Sequence, residues 1–224
     1  MEYEYLFRGS KKVLQTHRGY DLGALPIAKE LAARFKAPLE YSTTTRLLVE
    51  LNRSVTHPAL FSEFSSGLDK EEKRLLLERH YFPFRKRVLT LIERRIARGY
   101  RVLHLSVHSF TPVLAGEARN CEFGLLYDPK RAGERKFCGE WQALLRRECP
   151  SWRTRKNYPY RGTLDGHTTT LRKAFGGKEY LGIEIEMVNS LASSSGAKRG
   201  RLVDVLENSL RTAITAELPC NQES

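Results

Sequence analysis

Arg101-Val-Leu-His-Leu-Ser-Val-His-Ser-Phe-Thr-Pro-Val-Leu114 is the stretch of sequence that decides the predicted fold. His104 and Ser106 alternate in it with three apolar residues, which is the period of a β-strand: Leu103, Leu105 and Val107. The strand would end near His108, and Pro112 closes the turn region after it. In parallel α/β sheets, ligands bind beyond the carboxyl ends of the strands. A lone histidine there more often bonds to backbone, but polar residues also follow other predicted strands, which favours a functional site.

Further strands and helices alternate along the chain. The predicted strands are 13–17 (or an extended lead-in), 38–42, 46–50, 122–127 and 180–188. The predicted helices are 22–35 with Asp21 as its N-cap, 69–80 opened by a capping box, one that starts at Pro83, 134–149, one through Phe175, and 201–218. Residues 190–200 are rich in Ser and Gly and are predicted to be mobile. This alternation predicts a three-layer α/β fold, with a mostly parallel or mixed central sheet covered by helices on both faces.

The composition sets limits on size, location and partners. A chain of 224 residues without an internal repeat or linker fits one domain, residues 1–224. It contains no run of about 18 apolar residues, its first residues are unlike a signal peptide, and its four cysteines form no CxxC pair. We therefore expect no membrane partner, a cytoplasmic location and free thiols at Cys121, Cys138, Cys149 and Cys220. The net charge of +12 raises nucleic acid as a partner, but no nucleic-acid-binding signature accompanies it, so a solvated basic surface is the preferred interpretation.

Two carboxylates lie on one face of the last predicted strand. Glu184 and Glu186 alternate with Ile183, Ile185 and Met187. Two acids in an apolar strand are costly unless the strand is a sheet edge or the acids serve a site. The run is apolar enough for a central strand, and Gly182 just before Glu184 would leave room for a cleft. We therefore predict a general base here, Glu184 first and Glu186 second.

Two other pairs are weaker signals. Asn52 and Arg53 follow a predicted strand and offer a guanidinium fork for a carboxylate, although a surface ion pair is as good an explanation. His17 and Asp21 could ligate a metal across one turn, although Asp21 as a plain helix cap is a strong alternative. Neither spacing is a metal motif by itself.

Taken in order, these residues resemble the arrangement in zinc carboxypeptidase-like hydrolases. A closer resemblance, to the N-formylglutamate amidohydrolase family, covers nearly the whole chain. It rests on seven blocks in the right order: His17-Arg-Gly-Tyr-Asp-Leu-Gly-Ala24, Arg46-Leu-Leu-Val-Glu-Leu-Asn-Arg-Ser54, Ser106-Val-His-Ser-Phe-Thr-Pro112, Gly124-Leu-Leu-Tyr-Asp-Pro129, Asn157-Tyr-Pro-Tyr-Arg-Gly162, Asp165-Gly-His-Thr-Thr-Thr-Leu-Arg172 and Gly182-Ile-Glu-Ile-Glu186.

The family resemblance implies a fold related to the zinc exopeptidases and hydrolysis of N-formyl-L-glutamate to formate and L-glutamate, a step in histidine breakdown. It implies a zinc ion that polarises the formyl carbonyl and activates water. The ligands would be His108 first, with Asp21 and His17 as weaker candidates. Arg53, helped by Asn52, would bind a carboxylate of a small N-acyl amino acid, and Arg161 is a further candidate anion binder.

One departure from the family pattern gives an alternative expectation. The family pattern has a strand ending in a Cys-Glu-His-Gly-Gly-Asn-like motif ahead of the segment that matches Glu4-Tyr-Leu-Phe7, and this sequence starts after that point. A lost metal ligand would make the chain a catalytically impaired relative that binds an anion or an amino acid. A lost strand would also remove hydrogen-bond partners from the sheet.

Overall fold

The structure is a computed structural model that describes residues 2–217. Its helices are α1 (Ala24–Phe35), α2 (Lys70–Leu76), α3 (Phe82–Ile96), α4 (Ala132–Glu148), α5 (His167–Ala174), α6 (Asn189–Ala192) and α7 (Gly196–Glu217). Its strands are β1 (Val102–Phe110), β2 (Val113–Leu114), β3 (Glu117–Ala118), β4 (Phe123–Leu126), β5 (Thr154–Lys156) and β6 (Tyr180–Val188). Two 3₁₀ turns (Glu4–Phe7 and Lys11–Gln15) precede α1, and a π-helical turn (Leu77–Tyr81) joins α2 to α3.

The central sheet has four strands in the order β1-β6-β4-β5. β6 runs parallel to β1 and antiparallel to β4, and β4 runs parallel to β5. β2 and β3 form a separate two-stranded hairpin. The three-layer α/β prediction is confirmed, and the sheet is mixed. The edge-strand explanation for the acids of β6 is wrong, since β6 lies between two other strands.

The two faces of the sheet are covered differently. On one face, Ile183, Ile185 and Met187 pack into the main core with side chains of α1, α4 and α7. On the other face, α5 packs on β6, and residues of α3 and α5 form a small cluster around Tyr180. That second face carries Glu184 and Glu186, because residues two apart on a strand share a face.

The strands predicted at 13–17, 38–42 and 46–50 are wrong. The first is largely the 3₁₀ turn Lys11–Gln15, and the other two are turns and irregular chain. Leu47, Leu48 and Val49 are all buried, in a local cluster with Phe7, Leu60 and Leu76. Three consecutive buried residues suit an irregular segment wrapped by its own cluster, and not a strand with one buried face.

The predicted helices exist, with changes at their ends. The capping box between Asp69 and Glu72 is confirmed. α1 starts three residues after Asp21, with Gly23 in the N-cap position, because the Asp21 carboxylate bonds elsewhere. The segment predicted to be mobile, 190–200, instead forms most of α6 and the start of α7. Cys121, Cys138 and Cys149 are buried free thiols, while Leu218 and Cys220 lie outside the described residues. Among residues 2–217, no helix is both long and apolar enough to cross a bilayer.

The two edges of the sheet contrast. β5 is three residues long, and its Arg155 and Lys156 are exposed, the kind of charged edge that discourages further strand pairing. β1 is nine residues long, and no strand within residues 2–217 pairs with its outer side. A cavity of about 1520 Å³ runs along β1 and is bordered by residues of α1 and α3. The polar side chains of β1 therefore reach a large open space.

Gly23 offers a test of how α1 is docked. It has φ of 78°, and a Cβ there would lie 2.2 Å from the carbonyl oxygen of Ala192. Gly9 has φ of 76° and open space around it. Gly9→Ala should cost only the strain of a left-handed residue, about 1 kcal/mol or slightly more. Gly23→Ala should lower the free energy of unfolding by at least about 2 kcal/mol more, measured by urea denaturation. Equal losses for the two variants would contradict the close packing of α1 on α6.

Candidate active site

A chain of polar contacts crosses the carboxyl ends of β1 and β6. Asp21 Oδ2 lies 2.7 Å from His108 Nδ1, and His108 Nε2 lies 2.9 Å from Ser106 Oγ. The nearer carboxylate oxygen of Glu184 lies 4.0 Å from the same Nε2. The register explains the grouping, since Ser106 pairs with Glu184 and His108 pairs with Glu186. Four predicted site residues from three separate segments are therefore brought together.

Asp21 is held in place from three sides. Its other oxygen accepts a hydrogen bond of 2.9 Å from Arg46 Nη1, and the backbone amide of Ser109 also donates to the carboxylate. Burial alone would raise the pKa of Asp21, but His108, Arg46 and this amide together lower it below its ordinary value. Asp21 is therefore a carboxylate whose task is to orient the imidazole of His108.

The same contacts determine the charge of His108. Burial alone would lower its pKa, yet the hydrogen bond and negative charge of Asp21, with Glu186 and Glu184 behind it, raise the pKa to about 10. In the metal-free protein His108 is thus an imidazolium at neutral pH. Both of its ring nitrogens then donate, one to Asp21 and one to Ser106.

Glu186 is the carboxyl group of the cluster whose surroundings most disfavour a negative charge. It is 6% exposed, its Oε2 has no hydrogen-bond partner among the described residues, and Gly124 stands opposite it on β4. Burial raises the pKa of Glu186 to about 8, against the opposing pull of His108 and Arg46. Glu186 therefore keeps its proton over much of the neutral range, whereas Glu184 lies beside a positive ring. Two acids on one strand with such different surroundings suit different roles.

The predicted zinc ligands do not assemble. Asp21 sits on the Nδ1 side of His108, as the orienting carboxylate of a metal-bound histidine does, which leaves Nε2 facing Glu184. His17 is exposed and takes no part in this cluster. Within residues 2–217, no three His, Cys, Asp or Glu side chains converge on a point that could hold a metal ion. A catalytic zinc needs about three protein ligands, so these residues alone do not fit one.

Asn52 and Arg53 contact the loop before α5. Asn52 Oδ1 accepts the backbone amide of His167 at 2.8 Å, and Arg53 Nη1 donates to the carbonyl of Asp165 at 2.9 Å. The next residue, Ser54, donates its amide to the Asp165 carboxylate. Both predicted substrate ligands thus hold the start of α5 in place, while Arg161 is exposed on a neighbouring loop.

Two residues of the cluster are not among the predicted site residues. Arg46 joins Asp21 to Glu50, which lies four positions further on. Ser106 is part of the quoted strand but carried no assigned role. Neither contact of Arg46 was visible in the sequence, because a spacing of four residues indicates an ion pair only on a helix, and residues 46–50 are not helical. The space that Gly182 was predicted to leave for a cleft is taken by Thr168 and Tyr180.

The comparisons with known proteins show the family and the fold. The model of the N-formylglutamate amidohydrolase family matches residues 3–192. The chain belongs to this family. A crystal structure of a gene product from Agrobacterium tumefaciens is similar with a TM-score of 0.79 and 30% sequence identity, over 92% of this chain and 82% of that one. None of the curated proteins matches significantly. Members of this family are hydrolases that act on amide bonds, with small molecules as substrates.

The charge of His108 can be tested by replacing its partner. Asp21→Asn keeps the shape but removes the negative charge, so the pKa of His108 should fall from about 10 toward or below its ordinary 6.5. Because the folded pKa is the higher one, the stabilisation from this pair is complete below about pH 6.5 and lost as the pH rises through about 10. NMR titration of the metal-free protein measures the shift. His80 lies outside the cluster and is the control, and an unmoved His108 would contradict the pairing.

Proposed function

We propose that this protein hydrolyses the amide bond of an N-acyl amino acid, with N-formyl-L-glutamate as substrate and formate and L-glutamate as products. Family membership supports the reaction class. The observation that carries the proposal is the cluster of Asp21, His108, Glu184 and Glu186 at the carboxyl ends of two neighbouring strands. The reaction belongs to histidine breakdown under this proposal.

The roles follow from the surroundings of each group. Glu184 is the general base that accepts a proton from the attacking water, since it borders the cluster and faces the positive edge of His108. His108 donates from Nε2 to the oxygen that gains negative charge in the transition state, and Asp21 keeps the ring in position. Glu186, protonated because it is buried, lies next to this ring in the register and limits the negative charge of the cluster.

Substrate binding is assigned to arginine side chains near the start of α5. Arg53, with Asn52, and Arg161 are the proposed partners of substrate carboxylates. Arg53 is the stronger candidate, since its guanidinium is already fixed on the loop that precedes α5.

Zinc is the proposed cofactor on grounds of the family resemblance. It would bind Nε2 of His108 in place of the proton that this nitrogen donates in the metal-free protein. When bound, it would polarise the formyl carbonyl and lower the pKa of a water molecule. The described residues do not complete its ligand set, so no step above is derived through the metal. The same shortfall favours a second candidate function, a binding protein that holds an acylated or free amino acid without turning it over.

Release of formate from N-formyl-L-glutamate tests the proposal. Glu184→Gln should lower kcat about 100-fold or more, because the amide cannot accept a proton, and Glu186→Gln should cost much less. Both variants change one atom, so each controls for the other. No hydrolysis of any N-acyl amino acid, with binding retained, would support the binding protein instead. A larger loss for Glu186→Gln would overturn the assignment of the base.

Metal analysis of the purified protein addresses zinc. If zinc is bound through His108, His108→Ala should lose the metal while the circular dichroism spectrum stays unchanged. Replacing exposed His17 in the same way should leave the content unchanged if it is not a ligand. Stoichiometric zinc in the His108 variant would remove His108 from the metal site.

A further inference from the structure

The N-terminus of α5 takes no part in the catalytic steps proposed above. This helix is eight residues long, its N-cap Gly166 has no side chain, and no acid lies in its first turn. The side chain of Asn52 accepts the amide of His167, the first residue of the helix. The amides of Thr168 and Thr169 in that turn have no carbonyl partner within the helix. A helix start carries a partial positive charge, but so does every helix, and this alone indicates no ligand.

His167 provides the second, independent observation. It is 8% exposed, and only its backbone, not its ring, has a hydrogen-bond partner among the described residues. Its ring nitrogens are not fully enclosed and reach open space. It borders the large cavity of about 1520 Å³ that also holds His104, Ser106 and His108, and its ring centre lies 6.0 Å from that of Phe84, another residue of the cavity wall. Buried polar groups are nearly always hydrogen-bonded. An unpaired buried imidazole that borders the cavity of the catalytic cluster indicates a ligand.

The charges around His167 favour an anion. Burial, then the nearby Arg85 and His104, lower the pKa of His167 to about 2, so its ring is neutral and can donate one hydrogen bond. The Arg85 guanidinium is fixed by the carbonyls of Leu51 and Arg53 and by Thr170. Asp165 is the nearest acid in sequence, and its carboxylate already accepts the amide of Ser54. The first turn of α5 therefore lies in a positive and rigid environment beside the cavity.

The position of α5 along the sheet sets the length of the ligand. Thr168 packs over Gly182, since its methyl carbon would lie 2.6 Å from a Cβ there. Gly182 precedes Glu184 by two residues, which corresponds to about 7 Å along the strand. In an N-acyl glutamate the acyl carbon and the side-chain carboxyl carbon are five bonds apart, roughly 6 Å when extended. The carboxylate attached directly to the α-carbon lies only three bonds away, which is too short.

We propose that His167 and the first turn of α5 receive the side-chain carboxylate of the substrate. The inference rests on the proposed function and makes these residues the ones that select acidic N-acyl amino acids. Asn52 and Arg53 also position these residues, because they hold the backbone of His167 and Asp165. The carboxylate that is left for Arg53 to bind is the one on the α-carbon.

The test compares two substrates that differ in one charge, N-formyl-L-glutamate and the neutral N-formyl-L-glutamine. His167→Ala should raise KM about tenfold or more for the glutamate substrate, the size expected for one hydrogen bond to a charged group. KM for the glutamine substrate, and kcat for both, should change less than about threefold. His167→Gln, which keeps a donor, should recover part of the loss. Lys173→Gln, exposed in the last turn of the same helix, should behave like the unmodified protein.

Binding measurements separate failure of this inference from failure of the proposed function. If no substrate is hydrolysed, titration calorimetry with N-formyl-L-glutamate and N-formyl-L-glutamine still compares the unmodified protein with His167→Ala. A loss of affinity confined to the ligand with the extra carboxylate supports the receptor. Equal losses of affinity for both ligands would indicate a structural role of His167 and would overturn the inference. Equal affinities of the unmodified protein and His167→Ala, or no binding of either ligand, would overturn it as well.

Discussion

The hydrogen bond between Asp21 and His108 is the contact on which the site depends. It joins the irregular first third of the chain to the edge strand of the sheet, and the partners are separated by 87 residues. Arg46 on the opposite oxygen and the amide of Ser109 balance the negative charge of Asp21. Removing one member of such a group leaves an uncompensated charge in a partly dry place, which costs more than the bond itself contributes. We therefore expect Asp21, His108 and Arg46 to stabilise the site cooperatively.

The distribution of charge in that unit explains why two acids on one strand differ. Asp21, Glu184 and Glu186 all lie near one imidazolium, and a third full negative charge would be unfavourable there. Glu186 is the most enclosed of the three, with Gly124 opposite and no partner on Oε2, so it keeps the proton. The position of β1 matters here as well, because its polar residues His104, Ser106 and His108 border the large cavity.

Prediction from sequence succeeded where a pattern was local. The alternation in β1 and β6 identified both strands, and it placed Glu184 and Glu186 on one face of β6. The pairing of His108 with Glu186 is known only from the structure. It failed between residues 38 and 50, because Leu47 to Val49 are buried by a local cluster that leaves no mark on periodicity. Asp21 has the residue type of a helix cap, and nothing near it in sequence reveals that its partners are Arg46 and His108. The predicted reaction rested on the seven sequence blocks that match the family. The family resemblance and the geometry disagree at the metal site, because within residues 2–217 no three potential ligands converge.

A buried ion pair sets the distances on which the proposed selectivity depends. Glu134 is fully buried and accepts from Arg172 Nε at 3.0 Å and from the amide of Gly182 at 3.1 Å. Arg172 also donates to the carbonyls of Gly182 and Gly162. One guanidinium thus ties α5, β6 and the loop that carries Arg161 into one frame. Ion pairs of this kind add little net stability compared with apolar packing, but they tolerate few alternative geometries. The separation between the start of α5 and Glu184 is therefore fixed before any substrate binds, and such preorganisation lets a site distinguish ligands that differ by one carboxylate.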